Sequence, residues 1–167
     1  MFYEKVFRAF AEEELQYVII GGVAVNLHGF YRSTVDLDII IPLTDSEITK
    51  FIKAVHKLGF VPQMPVFIED LADPLKRQQW IEHKNMVVFS VYNPKASVEM
   101  IDLMIDSPLP IEKLLKDSIT INFQNLKISI ADIPSLIQLK KVTGRQRDIN
   151  DIKALTKIED LINGKEE

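Results

Sequence analysis

The chain has 167 residues, 47% of them hydrophobic and 26% charged, and a net charge of −4 at neutral pH. A chain of this length buries roughly 68–70% of its unfolded surface and folds as one domain without staples. It has no cysteine, which excludes disulfide frameworks, thiolate metal sites, iron–sulfur clusters and cysteine nucleophiles. Glu4, Glu12, Glu13 and Glu14 fall between Met1 and Leu15, so no signal peptide is expected there. No apolar run approaches the ~18 residues of a membrane span. The expectation is a cytoplasmic protein with no membrane partner.

Charge is unevenly spread. Between Gln138 and Lys157 stand Lys140, Lys141, Arg145, Arg147, Lys153 and Lys157 against only Asp148 and Asp151, so this stretch is basic and the remainder acidic. Such a segment either holds a polyanionic ligand or is a solvated helix face.

In chain order, Phe2, Val6 and Phe10 predict an amphipathic helix from Met1 to about Glu14. Tyr17 to Ile20 reads as a buried strand closed by Gly21-Gly22, with a helix from Val23 to about His28 opening behind the glycines. Val35 to Ile41 is a second strand, stopped by Pro42. Thr44 or Asp45 caps a helix whose stripe is Ile48, Phe51, Ile52, Val55 and Leu58, ended by Gly59. Pro62, Pro65 and Pro74 break the stretch from Val61 to Lys76 into turns, with a short helical piece at Ile68 to Ala72. Met86 to Tyr92 and Ser97 to Ile105 form a hairpin around Asn93-Pro94-Lys95, and Ile119 to Phe123 and Leu126 to Ile130 another around Gln124-Asn125. Asp132 or Ser135 caps a helix through Val142, with Pro134 in its first turn and a break at Gly144. A last helix runs from Asp148 to Ile162 and closes at Asn163-Gly164. The pattern predicts an α+β fold, a body over 1–131 with a C-terminal helical segment, 132–167, packed on it as one compact domain.

Chemistry concentrates around Asp36-Leu37-Asp38. Period-2 alternation in a strand puts both carboxylates on one face, flanked by Val35, Ile39, Ile40 and Ile41. Two unpaired carboxylates there repel and resist burial unless a cation neutralises them, and hard oxygen donors suit Mg²⁺ or Mn²⁺. Gly21-Gly22 ends the preceding strand, where a phosphate can approach the backbone near a helix N-terminus. Arg32, just upstream of Thr34 and the aspartates, is a natural phosphate clamp. Asp102 supplies a third carboxylate, on a strand face shared with Met100 and Met104; Glu99, expected to face solvent, and Asp106, expected to cap the strand end, are alternatives.

Gly21-Gly22 followed by Arg32-x-Thr34-x-Asp36-x-Asp38 resembles the first motif of nucleotidyltransferase-fold proteins of the AbiEii toxin type, in the minimal nucleotidyltransferase superfamily; Asp102 matches the family's later carboxylate. The run Leu139-Lys140-Lys-Val-Thr-Gly-Arg145-Gln-Arg147-Asp148-Ile-Asn-Asp151-Ile152 resembles its C-terminal motif. The resemblance covers about Tyr17 to Leu155 and implies a nucleotidyltransferase core with a central mixed β-sheet flanked by helices. It further implies that Asp36 and Asp38 hold Mg²⁺ (or Mn²⁺) on an NTP, that Asp102 ligates one ion and helps activate an acceptor hydroxyl, and that Lys140 neutralises triphosphate charge. Gly21, Gly22, Arg32, Thr34, Arg145 and Asp148 would complete the nucleotide site, although Asp148 also reads as an N-cap paired to a nearby base. The implied acceptor is RNA, tRNA ends first, or a protein hydroxyl, for a toxin with a cognate antitoxin. The alternatives are an antibiotic-type small-molecule nucleotidyltransferase and a non-catalytic nucleotide-binding relative.

Other candidates read as structural. His28, His56 and His83 lack zinc spacing; His56 is a surface residue, and His28 lies near enough to the motif to touch nucleotide. Trp80 and Phe89 are anchors of core or loop, and Lys76-Arg77 a solvated loop pair.

Overall fold

The structure is a computed structural model and describes residues 1–164. Its seven strands form one mixed sheet: β1 (Val18–Ile20), β2 (Leu37–Ile40), β3 (Val61–Pro62), β4 (Val88–Asn93), β5 (Ala96–Met104), β6 (Ile119–Phe123) and β7 (Leu126–Ile130). The spatial order is β3-β4-β5-β2-β1-β7-β6. The two central crossovers, β2 to β5 and β1 to β7, are parallel, and the remaining pairs antiparallel. The fold is therefore the expected α+β arrangement around a mixed sheet.

Helices cover the sheet: α1 (Phe2–Glu12), α2 (Gly21–Leu27), α3 (Asp45–Leu58), α4 (Pro74–Lys84), α5 (Ile111–Asp117), α6 (Ile133–Thr143) and α7 (Gln146–Ile162). The apolar stripes of α1 and α3 meet; Val6, Phe7 and Phe10 of the first and Ile48, Phe51 and Val55 of the second are buried with Val18, Ile19, Leu37 and Ile39 of the central strands. Thr44 caps α3 by accepting from the Glu47 N–H at 3.3 Å. Asp132 does the same for α6 through the Ser135 N–H at 3.1 Å. Gln124 and Asn125 both take positive φ, 45° and 67°, the twist a two-residue hairpin needs.

The structure departs from expectation in five places. Gly21 and Gly22 lie inside the first turn of α2, not before it. The second strand begins at Leu37, so Val35 and Asp36 sit on its approach. Residues after Asp73 form α4, capped by Asp73 on the Leu75 N–H at 2.9 Å; Lys76 and Arg77 are helical, Lys76 pairing with Asp70 at 2.9 Å and Arg77 donating to the Leu71 carbonyl. Helix α5 was not foreseen. Helix α7 starts at Gln146, with Arg145 at the cap position, so Asp148 is its third residue and not its N-cap.

Candidate functional site

The parallel pairing of β2 with β5 sets Asp38 directly beside Asp102. Flanking residues Leu37, Ile39, Ile101 and Leu103 point into the core and are buried, so both aspartates emerge on the other face. Asp36 stands one residue before β2. Helix α2 arrives from β1, the other neighbour of β2, and places Gly21 and Gly22 against these acids. A cavity of about 860 Å³ opens here. Gly21, Gly22, Arg32, Thr34, Asp36, Asp38, Asp102, Lys140, Arg145 and Asp148 all line it, whereas the alternatives His28, Glu99 and Asp106 do not. Val35, Val87, Val98 and Met104 add an aliphatic wall.

Both glycines are demanded by close approach. Gly21 has φ +65°, and a Cβ there would overlap the Asp38 carboxylate. A Cβ on Gly22 would meet the Thr34 hydroxyl at 2.5 Å and the Arg32 guanidinium at 2.9 Å. The room above the helix start is thus taken by the chain's own side chains.

The acids are electrostatically strained. Burial, then the carboxylates of Asp102 and Asp36, push the Asp38 carboxyl up to about 7, against Lys140 and a hydrogen bond from the Gly22 N–H. Burial raises Asp102 as well, opposed by the Ser90 hydroxyl, which donates to Oδ1 at 2.6 Å, and aided by Asp36. The Tyr3 hydroxyl of α1 donates to the Val35 carbonyl at 3.0 Å, just before Asp36.

The basic residues are arranged differently. The Arg32 guanidinium lies edge-on to Asp151, Nε to Oδ1 at 2.8 Å and Nη2 to Oδ2 at 2.9 Å, while Nη1 donates to the Ser33 carbonyl at 3.1 Å. The phosphate-clamp expectation for Arg32 meets a guanidinium whose three nitrogens each already donate within the protein. Lys140, buried on α6, pairs with Asp151 at 2.8 Å and lies 3.8 Å from Asp148. Asp148 accepts from the Thr143 hydroxyl at 2.7 Å, and from the Arg145 N–H at 3.1 Å and Nε at 2.9 Å. Burial pushes Asp148 upward, but these bonds win and hold it at about 2. Asp151, Ser90 and Tyr3 carried no assigned role from sequence. Asp151 could have been found from its spacing: three residues after Asp148 on a helix, it shares that residue's face.

The other candidates lie elsewhere. Trp80 and Phe89 are buried and stack at 5.5 Å between centroids. His56 is on the surface, 3.6 Å from Glu69. His28 contacts the Ala131 carbonyl through Nε2 at 2.8 Å and does not line the cavity. Glu99 is half-buried and accepts from the Asn93 amide at 2.7 Å; Asp106 is exposed.

Among the described residues, no group of three or more acidic, histidine or cysteine side chains is closed in a way that could by itself hold a metal ion. The donor set nevertheless fits a hard divalent cation. Mg²⁺ binds through one or two carboxylates and completes its shell with water and substrate phosphates, so an all-protein cage is not required. Carboxylates that raise one another's affinity for protons also favour any other cation.

A family described as "Nucleotidyltransferase of unknown function (DUF6036)" matches residues 6–163. The chain belongs to this nucleotidyltransferase family. No curated protein matches it by sequence. Among solved structures, it is similar to the solution structure of the antibiotic-resistance factor ANT(2'')-Ia, with a TM-score of 0.60 at 12% identity over 92% of this chain and 80% of that one. The crystal structure of ANT(2'')-Ia with adenylyl-2''-tobramycin gives 0.59 at 14% identity, covering 94% and 90%. An antigenic nucleotidyltransferase-like protein from Paracoccidioides brasiliensis gives 0.53 at 18% identity, covering 89% and 71%. At these identities the likeness is one of fold: the nucleotidyltransferase fold expected from the sequence is present, while the AbiEii type is not what the matches name. No helix among the described residues is long and apolar enough to cross a membrane.

Proposed function

We propose that this nucleotidyltransferase moves a nucleotidyl group from an NTP to a hydroxyl acceptor with Mg²⁺ or Mn²⁺ held by Asp36, Asp38 and Asp102. The observation that carries the reading is the pairing of Asp38 with Asp102 across β2 and β5, beside Asp36, in a cavity whose helical wall contributes Lys140. Bound there, such ions supply charge neutralisation on the attacking and leaving oxygens of an in-line displacement. Asp102, whose carboxyl burial raises above the usual carboxylate range, takes the proton of the acceptor hydroxyl. The acceptor oxygen bonds to the α-phosphorus, the bond from that phosphorus to the bridging oxygen breaks, and pyrophosphate leaves. Lys140 offers positive charge to the triphosphate as a point contact. Gly21, Gly22, Arg32 and Thr34 shape the floor that holds Asp38, and Arg145 and Asp148 form the rim.

The rim supports a polyanionic acceptor. The Arg145 side chain is 70% exposed, Arg147 lines the cavity, and Lys141, Lys153 and Lys157 are exposed on the same two helices. RNA, tRNA ends first, is the acceptor on this reading, and a toxin restrained by a cognate antitoxin its setting. The test incubates the protein with each NTP labelled at the α-phosphate, Mg²⁺ and total tRNA, with a parallel aminoglycoside reaction. Label on RNA is the expected result, and Asp36→Ala should abolish it. Label on the protein or on the aminoglycoside moves the acceptor to another class. No transfer under any condition refutes the activity.

A further inference from the structure

We propose that Asp151 is the positioning residue of the nucleotide site, fixing the Lys140 ammonium on the cavity wall where a triphosphate meets it. The inference deepens the nucleotide reading above and rests on it.

Asp151 is fully buried, yet both its oxygens are occupied by cations from two other elements. Arg32, from the irregular segment before β2, takes it edge-on with two bonds. Lys140, from α6, takes Oδ2. A planar, bidentate guanidinium contact fixes the carboxylate in orientation as well as place. Arg32 is itself held at its backbone by Asn26, whose amide donates to the Arg32 carbonyl at 2.9 Å and accepts from its N–H at 3.0 Å. Asp151 is therefore a fixed point, and an ammonium on a flexible four-carbon stem becomes a fixed charge by bonding to it. Besides Asp151, Lys140 lies 3.8 Å from Asp148 and acts on the Asp38 carboxylate, whose proton affinity it lowers. A lysine that moved onto Asp38 would neutralise a carboxylate proposed to hold the divalent ion.

The experiment is a cycle measured by calorimetry with Mg²⁺–ATP on wild type, Asp151→Asn, Lys140→Met and the double variant. Lys53→Ala, exposed on α3 and outside the cavity lining, is the control. If Asp151 acts through Lys140, each single variant weakens ATP binding by about tenfold or more. The double variant then binds within about twofold of Lys140→Met alone, because the second change removes a support whose load is already gone. Losses that multiply in the double variant overturn the proposal, as does an Asp151→Asn protein that binds like wild type. Where wild type does not bind Mg²⁺–ATP, the cycle is run with whichever of the Mg²⁺ complexes of GTP, CTP and UTP it binds; wild type that binds none of the four refutes the functional reading and this inference with it, which separates the two failures.

Asp151→Asn strands two buried cations and can prevent folding. A measurement on wild type covers that case. With lysine side chains labelled at Nζ, the Lys140 ammonium, identified by its loss in Lys140→Met, should give a slowly exchanging resonance near neutral pH with and without Mg²⁺–ATP. A fast-exchanging Lys140 in the free protein overturns the proposal.

Discussion

Replacing Asp38 with Asn should stabilise the protein when no divalent ion is present. The Asp38 carboxyl moves from 3.8 in the unfolded chain to about 7 in the folded one, mainly through burial and then through Asp102 and Asp36. The difference is about 3 pK units at 1.36 kcal/mol each, a ceiling of roughly 4 kcal/mol at high pH. Asn keeps the oxygen that accepts from the Gly22 N–H and carries an amide that can donate to Asp102. Water in the open cavity screens part of the repulsion, so the expected gain is about 2 kcal/mol. The sign follows from linkage. A folded pKa above the unfolded one adds stability that is fully present below 3.8 and is lost as pH rises through about 7. Wild type should therefore gain stability as pH falls from about 8 to about 4, and Asp38→Asn should lack that component. Urea unfolding in chelator, with a slope of about 2 kcal/mol/M, would show the variant's midpoint about 1 M higher at the alkaline end and converging with wild type at the acid end. A variant no more stable than wild type at the alkaline end, or a gap that does not change with pH, would refute the reasoning.

Three further outcomes are expected. Mg²⁺ with NTP at about 100 times its Kd should stabilise wild type by about 2.7 kcal/mol, raising Tm by about 5–10 °C, and Asp38→Asn should lose most of this rise in differential scanning fluorimetry. Asp148, held at about 2 in the fold, gives stability that is present above 3.8 and lost as pH falls through about 2; Asp148→Asn should cost roughly 2 kcal/mol near neutrality and cancel that acid limb, measured by urea midpoints down the pH scale. Gly59→Ala, at φ +72° in open space, should cost only the ~1–2 kcal/mol of a left-handed residue, whereas Gly21→Ala, at φ +65°, must also displace Asp38 and should cost more and abolish the metal–NTP rise in Tm.

What could be read from the sequence divides along physical lines. Strands β1, β2, β5 and β7 announce themselves through short β-branched runs, and α3 through an apolar stripe with a cap at each end. Helix α4 lies outside the expected elements because only Trp80 on it is buried, so it has no stripe to read; its one start signal is Asp73 before Pro74 at the first helical position. The cluster of acids was legible because Asp38 and Asp102 are charges in otherwise apolar strands, with Asp36 one residue ahead of β2, a local conflict visible without coordinates. The register that places Asp38 beside Asp102 was not legible, since it depends on β2 and β5 pairing in parallel across intervening elements. Nor was the commitment of Arg32 to Asp151: the two are 119 residues apart, and which anion a guanidinium meets is decided by packing.

That commitment explains how the cavity keeps its acids uncompensated. Of the cations that line the cavity, Lys140, Arg32 and Arg145 are bound to the acids of α7: Lys140 and Arg32 to Asp151, Arg145 to Asp148. Had α7 carried neutral residues there, the favourable course would be for Lys140 to pair with Asp38, closing the cavity as a structural salt bridge. By taking the basic side chains to itself, α7 leaves the acids of the sheet only partly compensated: burial, Asp102 and Asp36 raise the proton affinity of Asp38 further than Lys140 lowers it. The helical wall is then a well-bonded surface with Arg147 added at the cavity, and the sheet wall a concentrated negative one. A polypeptide selected for stability alone gains by mixing these charges. Keeping them apart costs stability in the metal-free state, and under the proposed function a divalent ion and a nucleotide bound together in the cavity would recover that cost.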